Sequence, residues 1–390
     1  MHGSRRIRLL LPLVLAGLEA AAHTQTDPTL ARAEQRRLQH KPAEAAVLLR
    51  PYIEQHPDDA SALMLLGNTL LDLHQTEEAG QNFARALAAE PNSIPANLAV
   101  GNLLLSQHRY PEAMDRFETI LAQGSHQDPD HAAARKGEVA AATELAVSSR
   151  RDNHPDRALI ALRHACEKLP DSPDLQLDRG LQAFELGQLP EADEALHVAR
   201  KLAPANSTIL YALARLETEQ QKMPEAERHY KAYLAARPND ETAHYGLGYV
   251  YAALLNTEGA RREFETSIRL QPRQTEAYYQ LGQIALDAHL DDEAKPLFER
   301  VLARDPNHAG ALTGLGELAF RDKDYSRAEQ LLAHAEKSDP NYSRPHYYRG
   351  LSLARLGRNE EAQHELQQCD GRTHTSASSP VDAPQPPPPP

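Results

Sequence analysis

Nineteen histidines, 55 acidic side chains and two cysteines are the material from which this 390-residue chain would have to assemble a metal site, an acid–base pair or a nucleophile. Four of the histidines, His40, His74, His108 and His289, share one phase of a 34-residue period once an eleven-residue insertion before residue 158 is allowed for. Neighbouring units of such a period stack about 10 Å apart, the separation of packed helices. A zinc ion needs its nitrogens at about 2.1 Å. No ion bridges successive turns at that spacing, so these histidines read as exposed turn residues. Gly314-Leu315-Gly316-Glu317-Leu318-Ala319 fits G-x-G-x-x-A formally, but that motif requires a strand before it and a helix opening at the glycines. The chain contains no H-E-x-x-H, no Walker-type lysine loop and no C-x-x-C. Cys166 and Cys369 lie 203 residues apart and make no disulfide framework; two small, partly buried thiols are expected. The acidic residues read as solvated faces and not as paired catalytic carboxylates. The expectation is therefore no catalytic residue, no metal and no cofactor.

The same residues sit in a strong repeat. A small residue recurs at Gly180, Ala214, Gly248, Gly282, Gly316 and Gly350, in steps of 34. Twelve residues after each comes Ala192, Ala226, Ala260, Ala294, Ala328 or Ala362, and twelve after the first five of these come Pro204, Pro238, Pro272, Pro306 and Pro340. The phase extends upstream through Gly67/Ala79/Pro91, Gly101/Ala113 and Ala33/Ala45/Pro57. Four residues after the alanine falls a large apolar group, for example Phe83, Phe117, Tyr230, Phe264, Phe298 or Leu332, on the same helical face. Proline stops the second helix, because it cannot donate to the preceding turn. Pro111, Pro190 and Pro224, each followed by Glu, open second helices, where a missing N–H is harmless and an acid suits the helix dipole. The unit is a helix–turn–helix. Aromatics at 5%, no tryptophan and few β-branched residues fit that reading and leave little for strands.

The pattern resembles the tetratricopeptide repeat family: an apolar residue at position 4, Leu-Gly at 7–8, an apolar or aromatic residue at 11, Ala at 20, an aromatic at 24, Ala at 27 and Pro at 32. Leu63, Leu66-Gly67, Leu70, Ala79, Phe83, Ala86 and Pro91 match throughout. The resemblance covers roughly residues 26–370 and implies an all-α, right-handed superhelical solenoid of about ten hairpins. Arg179 and Arg349 replace the position-7 leucine and Glu217 the position-11 apolar residue, so looser packing is expected there. The resemblance also implies that positions 2, 5, 9, 12 and 13 of the first helices line a concave binding face. Position 5 carries Tyr211, Tyr245, Tyr279 and Tyr347, and Tyr249 adds a ring at position 9. Such a ladder offers amphipathic contact area for an extended or helical peptide. Asn68 and Asn102 at position 9 present amides for a peptide backbone. The basic set of the family's clamp for a C-terminal carboxylate is missing, Met64 and Leu98 standing at position 5.

Domain organisation follows. Residues 1–22 read as a secretory signal, with Arg5, Arg6 and Arg8 before an apolar run and Ala20-Ala21-Ala22 as cleavage site; whether it is cleaved or kept as an anchor stays open. Repeats 1–3 occupy 26–129, an irregular repeat 4 occupies 130–172, repeats 5–10 occupy 173–370, and 371–390 form a proline-rich tail expected to be disordered. In repeat 4 the insertion is expected to lengthen an Ala-rich helix and make it project by roughly 13 Å. A net charge of −13 argues against a nucleic-acid partner, and nothing after residue 22 is apolar enough to span a membrane. The expected function is a non-catalytic adaptor or scaffold that binds a protein or peptide in the periplasm or outside the cell, in a bacterium. The alternative is an accessory subunit of an envelope enzyme, secretion or assembly complex.

Overall fold

The computed structural model describes residues 27–124 and 128–373, which form twenty α-helices and no strand. They pair in chain order: α1 (Pro28–Leu38) and α2 (Pro42–Gln55); α3 (Ala60–Asp72) and α4 (Thr76–Ala89); α5 (Ile94–Ser106) and α6 (Tyr110–Leu121); α7 (Pro129–Arg151) and α8 (Pro155–Lys168); α9 (Pro173–Glu185) and α10 (Leu189–Leu202). The remaining helices are α11 (Ser207–Glu219) and α12 (Met223–Ala236); α13 (Glu241–Ala253) and α14 (Thr257–Leu270); α15 (Thr275–Asp287) and α16 (Asp291–Leu302); α17 (Ala309–Arg321) and α18 (Tyr325–Ser338); α19 (Arg344–Arg355) and α20 (Asn359–Thr373). The chain divides into two units, Met1–Gln188 with α1–α9 and Leu189–Pro390 with α10–α20. The signal segment at 1–22 lies outside the described residues, as does the tail from residue 374; residues 371–373 still belong to α20.

At Gly67, Gly101, Gly248 and Gly282 an aromatic ring takes the place of the missing side chain, and at Gly316 and Gly350 a leucine does. A Cβ built on Gly282 would lie 2.7 Å from Cε1 of Phe298, and one on Gly314, in the next first helix, 2.5 Å from Cε2 of the same ring. Phe298 is fully buried between two bare stretches of backbone. Gly101 and Gly137 flank Phe117 in the same way. Ala79, Ala113, Ala260 and Ala294 at position 20 are likewise fully buried, so small residues set the helix spacing and large ones fill the gaps between.

Each hairpin turn closes through position 15, which is left-handed in all ten repeats: His40, His74, His108, Asn153, Gln221, Leu255, His289 and Lys323 have φ between 58° and 66°, joined by Gly187 and Gly357. The next amide then reaches back five residues, as Asn256 N–H does to the Tyr251 carbonyl at 2.8 Å. This Schellman closure satisfies a carbonyl the helix end would orphan. The position-15 histidines are thus backbone turn residues. At the other end, position 34 caps the first helix: Asp59 Oδ1 accepts from Ala62 N–H at 3.0 Å and Asp240 Oδ1 from Ala243 N–H at 2.9 Å.

Within the first unit α1 touches α3, α5 touches α7 and α7 touches α9; within the second α11 touches α13, α15 touches α17 and α17 touches α19. No pair of second helices packs to a comparable extent. The first helices therefore take the tighter, inner side of each stack.

Two sequence expectations need correction. The insertion lengthens α7 to 23 residues, but its added turns do not project. His131, Ala134, Gly137 and Glu138 are buried, and Gly137 lies against the Phe117 ring. The departures at positions 7 and 11 also do not loosen packing: Glu217 is 2% exposed with its carboxylate 2.7 Å from His229 Nδ1, and Arg349 Nη1 lies 2.6 Å from Glu336. Polar contacts replace the missing apolar ones. Cys166 is buried as expected; the Cys369 side chain lies outside the described residues.

Glu138 is fully buried and neither of its oxygens has a hydrogen-bond partner among the described residues. Burial, with Glu118 as a smaller contributor, pushes its carboxyl up to about 8, while Lys168 opposes the shift. A carboxyl raised in the folded state favours folding only while protonated, so its ionisation destabilises the protein progressively from the unfolded-state pKa of about 4.3 up to about 8. Glu138→Gln is expected to gain roughly 3–4 kcal/mol more at pH 8 than at pH 5, measured by urea denaturation at the two pH values. At the turns, Leu255 is 90% exposed at φ 60°. Leu255→Gly is expected to stabilise by about 1 kcal/mol by removing a strained Cβ; an unchanged or lower denaturation midpoint would contradict the turn assignment.

Candidate functional site

The inner side of each stack is where a ligand meets the most first helices at once, and the two units furnish it differently. In the first unit Met64, Asn68 and Leu71 lie on α3 and Leu98, Asn102 and Leu105 on α5. Asn102 is exposed, Leu71 is 38% exposed and the others are half-buried. Val147 on α7 adds an exposed apolar side chain, and Thr143 on the same helix donates to Asp178 on α9 at 2.7 Å. Asn68 and Asn102 thus occupy the same position of successive first helices, each on a helix that also carries partly open apolar side chains.

In the second unit the tyrosine set divides on burial. Tyr211 and Tyr245 are 4% and 2% exposed, and their rings belong to the core. Tyr211 packs 5.0 Å from Tyr233 and 6.1 Å from Tyr230, and burial pushes its hydroxyl up to about 12. Tyr245 packs 5.6 Å from Phe264, and burial raises its hydroxyl as well. Of the five rings expected to face a ligand, these two are buried in the core of their own hairpins. Tyr249 and Tyr279 are half-buried; the Tyr279 ring rests on Gly310, where a Cβ would meet it at 2.6 Å, and lies 4.8 Å from His308. Tyr347 is 46% exposed and stacks edge-on against Tyr348 at 5.2 Å. The position-5 and position-9 rings that keep open surface in this unit are those of Tyr249, Tyr279 and Tyr347.

Ionic clusters inside the second unit escaped the sequence reading. Glu317 is 2% exposed on α17 and accepts from Arg321 at 2.7 Å and Arg344 at 2.9 Å. His244 on α13 has Nδ1 2.6 Å from Glu263 on α14 and Nε2 3.0 Å from the Pro238 carbonyl. An acceptor at each nitrogen favours the cationic ring, and the Glu263 contact raises its pKa against the opposing effect of burial. His346 on α19 repeats that pairing with Glu365 on α20 at 2.6 Å. Both histidines occupy position 4 and both glutamates position 23, a recurrence that was visible in the sequence. At His346 a second carboxylate joins, Glu336 on α18, whose own carboxyl burial pushes up.

Gly314 and Gly316 lie inside α17, where the sites of their missing side chains are filled by Phe298 and Leu332. Their G-x-G-x-x-A spacing is a packing pattern. Among the described residues no helix is long and apolar enough to cross a membrane.

Family models described as tetratricopeptide repeat match residues 37–96, 70–137 and 285–354, and a second such model matches 177–241 and 245–294. No curated protein matches the chain. Among solved structures, a tetratricopeptide repeat protein from Parabacteroides merdae covers 60% of this chain and 93% of its own, at 20% identity and a TM-score of 0.50. Pseudomonas aeruginosa pilF covers 54% and 96% at 19% identity and a TM-score of 0.48. MamA from Desulfovibrio magneticus covers 44% and 97% at 22% identity and a TM-score of 0.39. These likenesses are of fold. The family models span well over half of the sequence, and the chain belongs to the tetratricopeptide repeat family, whose stacked hairpins serve as protein-interaction scaffolds.

Proposed function

We propose that the chain is a non-catalytic scaffold that holds an extended or helical segment of a partner protein along the inner side of its first helices, in the periplasm or outside the cell of a bacterium. The observation that carries this reading is the row formed by α3 and α5. There the exposed or half-buried Asn68 and Asn102 alternate with Met64, Leu71, Leu98 and Leu105. Amides at repeat spacing suit a peptide backbone, and apolar side chains between them suit alternate side chains of the ligand. Tyr249, Tyr279 and Tyr347 extend the same chemistry in the second unit, where aromatic rings give contact area at low entropic loss. Support for the compartment comes from the basic, apolar and small-residue order of Arg5 to Ala22.

A photo-crosslinking residue placed at Asn102 or Tyr347 is expected to capture the partner in intact cells. One placed at Val47, 70% exposed on α2, is expected not to. Equal capture from both sides would refute the inner-face assignment. Asn68→Ala with Asn102→Ala is expected to weaken the captured complex at least tenfold with circular dichroism unchanged. A phosphatase reporter fused after residue 30 is expected to be active only outside the cytoplasm; activity equal to that of an unexported control would refute the compartment.

A further inference from the structure

The last three helices bring together a ligand set that the scaffold role does not require. Glu336 on α18, His346 on α19 and Glu365 on α20 each offer one atom, and the three atoms lie within 4.8 Å of one another. His346 and Glu365 are 7% and 8% exposed. Nδ1 of His346 is 3.2 Å from Glu336 Oε1 and 2.6 Å from Glu365 Oε2. Each carboxylate turns its other oxygen to Arg349, whose Nη1 lies 2.6 Å from Glu336 Oε2 and 2.9 Å from Glu365 Oε1. The guanidinium therefore orients both carboxylates and leaves one oxygen of each aimed at the imidazole, the arrangement by which outer hydrogen bonds fix metal ligands.

Two further observations point to a cation at that spot. Glu336 Oε1 is shut off from solvent with no hydrogen-bond partner. Charge is also out of balance. Glu329, Glu336 and Glu365 are 11–16% exposed at the side chain and face one guanidinium of similar burial, Arg349, at 19%. Arg358, 42% exposed, is shared with Glu361 at the surface, and the more exposed His364 stands 3.9 Å from Glu365. Even with the His346 imidazole counted as a cation, three carboxylates face two buried cations, and one negative charge is left over in a region of low dielectric, where unpaired charge is costly.

We propose that Glu336, His346 and Glu365 bind one divalent transition-metal ion of zinc's class, tying α18, α19 and α20 into a metal-closed terminal hairpin. One imidazole nitrogen and two carboxylate oxygens are a three-ligand set of the kind zinc accepts, with bonds of about 2.0–2.2 Å. Ligand atoms at that radius stand about 3.3 Å apart, so the 3.2 Å pair already fits and the 2.6 Å pair has to open slightly. A nitrogen ligand disfavours Mg2+ and Ca2+.

The full chain, stripped with chelator, is titrated with Zn2+ by calorimetry and with Co2+ by visible absorption. The expected result is one tight site, absent with Mg2+, that is at least tenfold weaker in His346→Asn and in Glu336→Gln and unchanged in His289→Ala. Zn2+ is also expected to slow amide exchange in α20 of the unsubstituted protein. Glu336→Gln keeps the volume of the side chain, and the Co2+ spectrum and exchange data need no variant, so loss of folding in His346→Asn leaves the test intact. Zn2+ affinity equal in all four proteins, or no site tighter than scattered surface histidines provide, overturns the proposal.

Discussion

One steric relation organises both units: a large side chain at position 24 is pressed against first helices that carry no side chain at the point of contact. Phe298 lies between Gly282 and Gly314, and Phe117 between Gly101 and Gly137. Burying a phenylalanine ring contributes roughly 1.5–3 kcal/mol, and the same contact fixes how far apart three helices stand. Because these two rings reach both their own hairpin and the next, they carry the interior from one repeat to its neighbour within a unit. A chain without tryptophan and with few aromatics builds its core this way.

That spacing decides what the surfaces can do. Asn68 and Asn102 recur at the same position of successive first helices, α3 and α5, and keep part of their surface open. Other inward residues are buried outright. Tyr211 and Tyr245 pack against Tyr230, Tyr233 and Phe264 on the second helices of their own hairpins and become part of the core. Toward the end of the second unit polar groups replace the usual apolar contacts, and Glu317, Arg344, Arg349 and His346 hold the last hairpins by charge-assisted hydrogen bonds.

The fold was legible in the sequence because its constraints are steric and recur at fixed spacing. Gly67, Ala79, Phe83 and Pro91 each admit few alternatives, and their recurrence fixed helix number, phase and the turns between. What stayed hidden depends on directions that residue type does not encode. Leu255 and Lys323 are poor choices for a left-handed turn, and the Schellman geometry imposes it regardless. An Ala-rich helix such as α7 has no strongly apolar face, so nothing in its letters told whether the extra turns project or bury. Tyrosine at position 5 suits a ligand face and a core equally, and burial separated Tyr245 from Tyr347. The pairing of His at position 4 with Glu at position 23 recurs in the sequence, but only the fold places His346 and Glu365 2.6 Å apart.

The most direct test of the account is the stability of Gly282→Ala. In an uncrowded helix interior alanine stabilises by about 0.5–1 kcal/mol relative to glycine. Against the Phe298 ring, where the new Cβ would arrive at 2.7 Å, the substitution should instead destabilise by about 1–3 kcal/mol through overpacking. A loss of that size in reversible denaturation is the predicted result. A gain would mean that glycine is not there to admit the ring, and that the spacing of the hairpins has another cause.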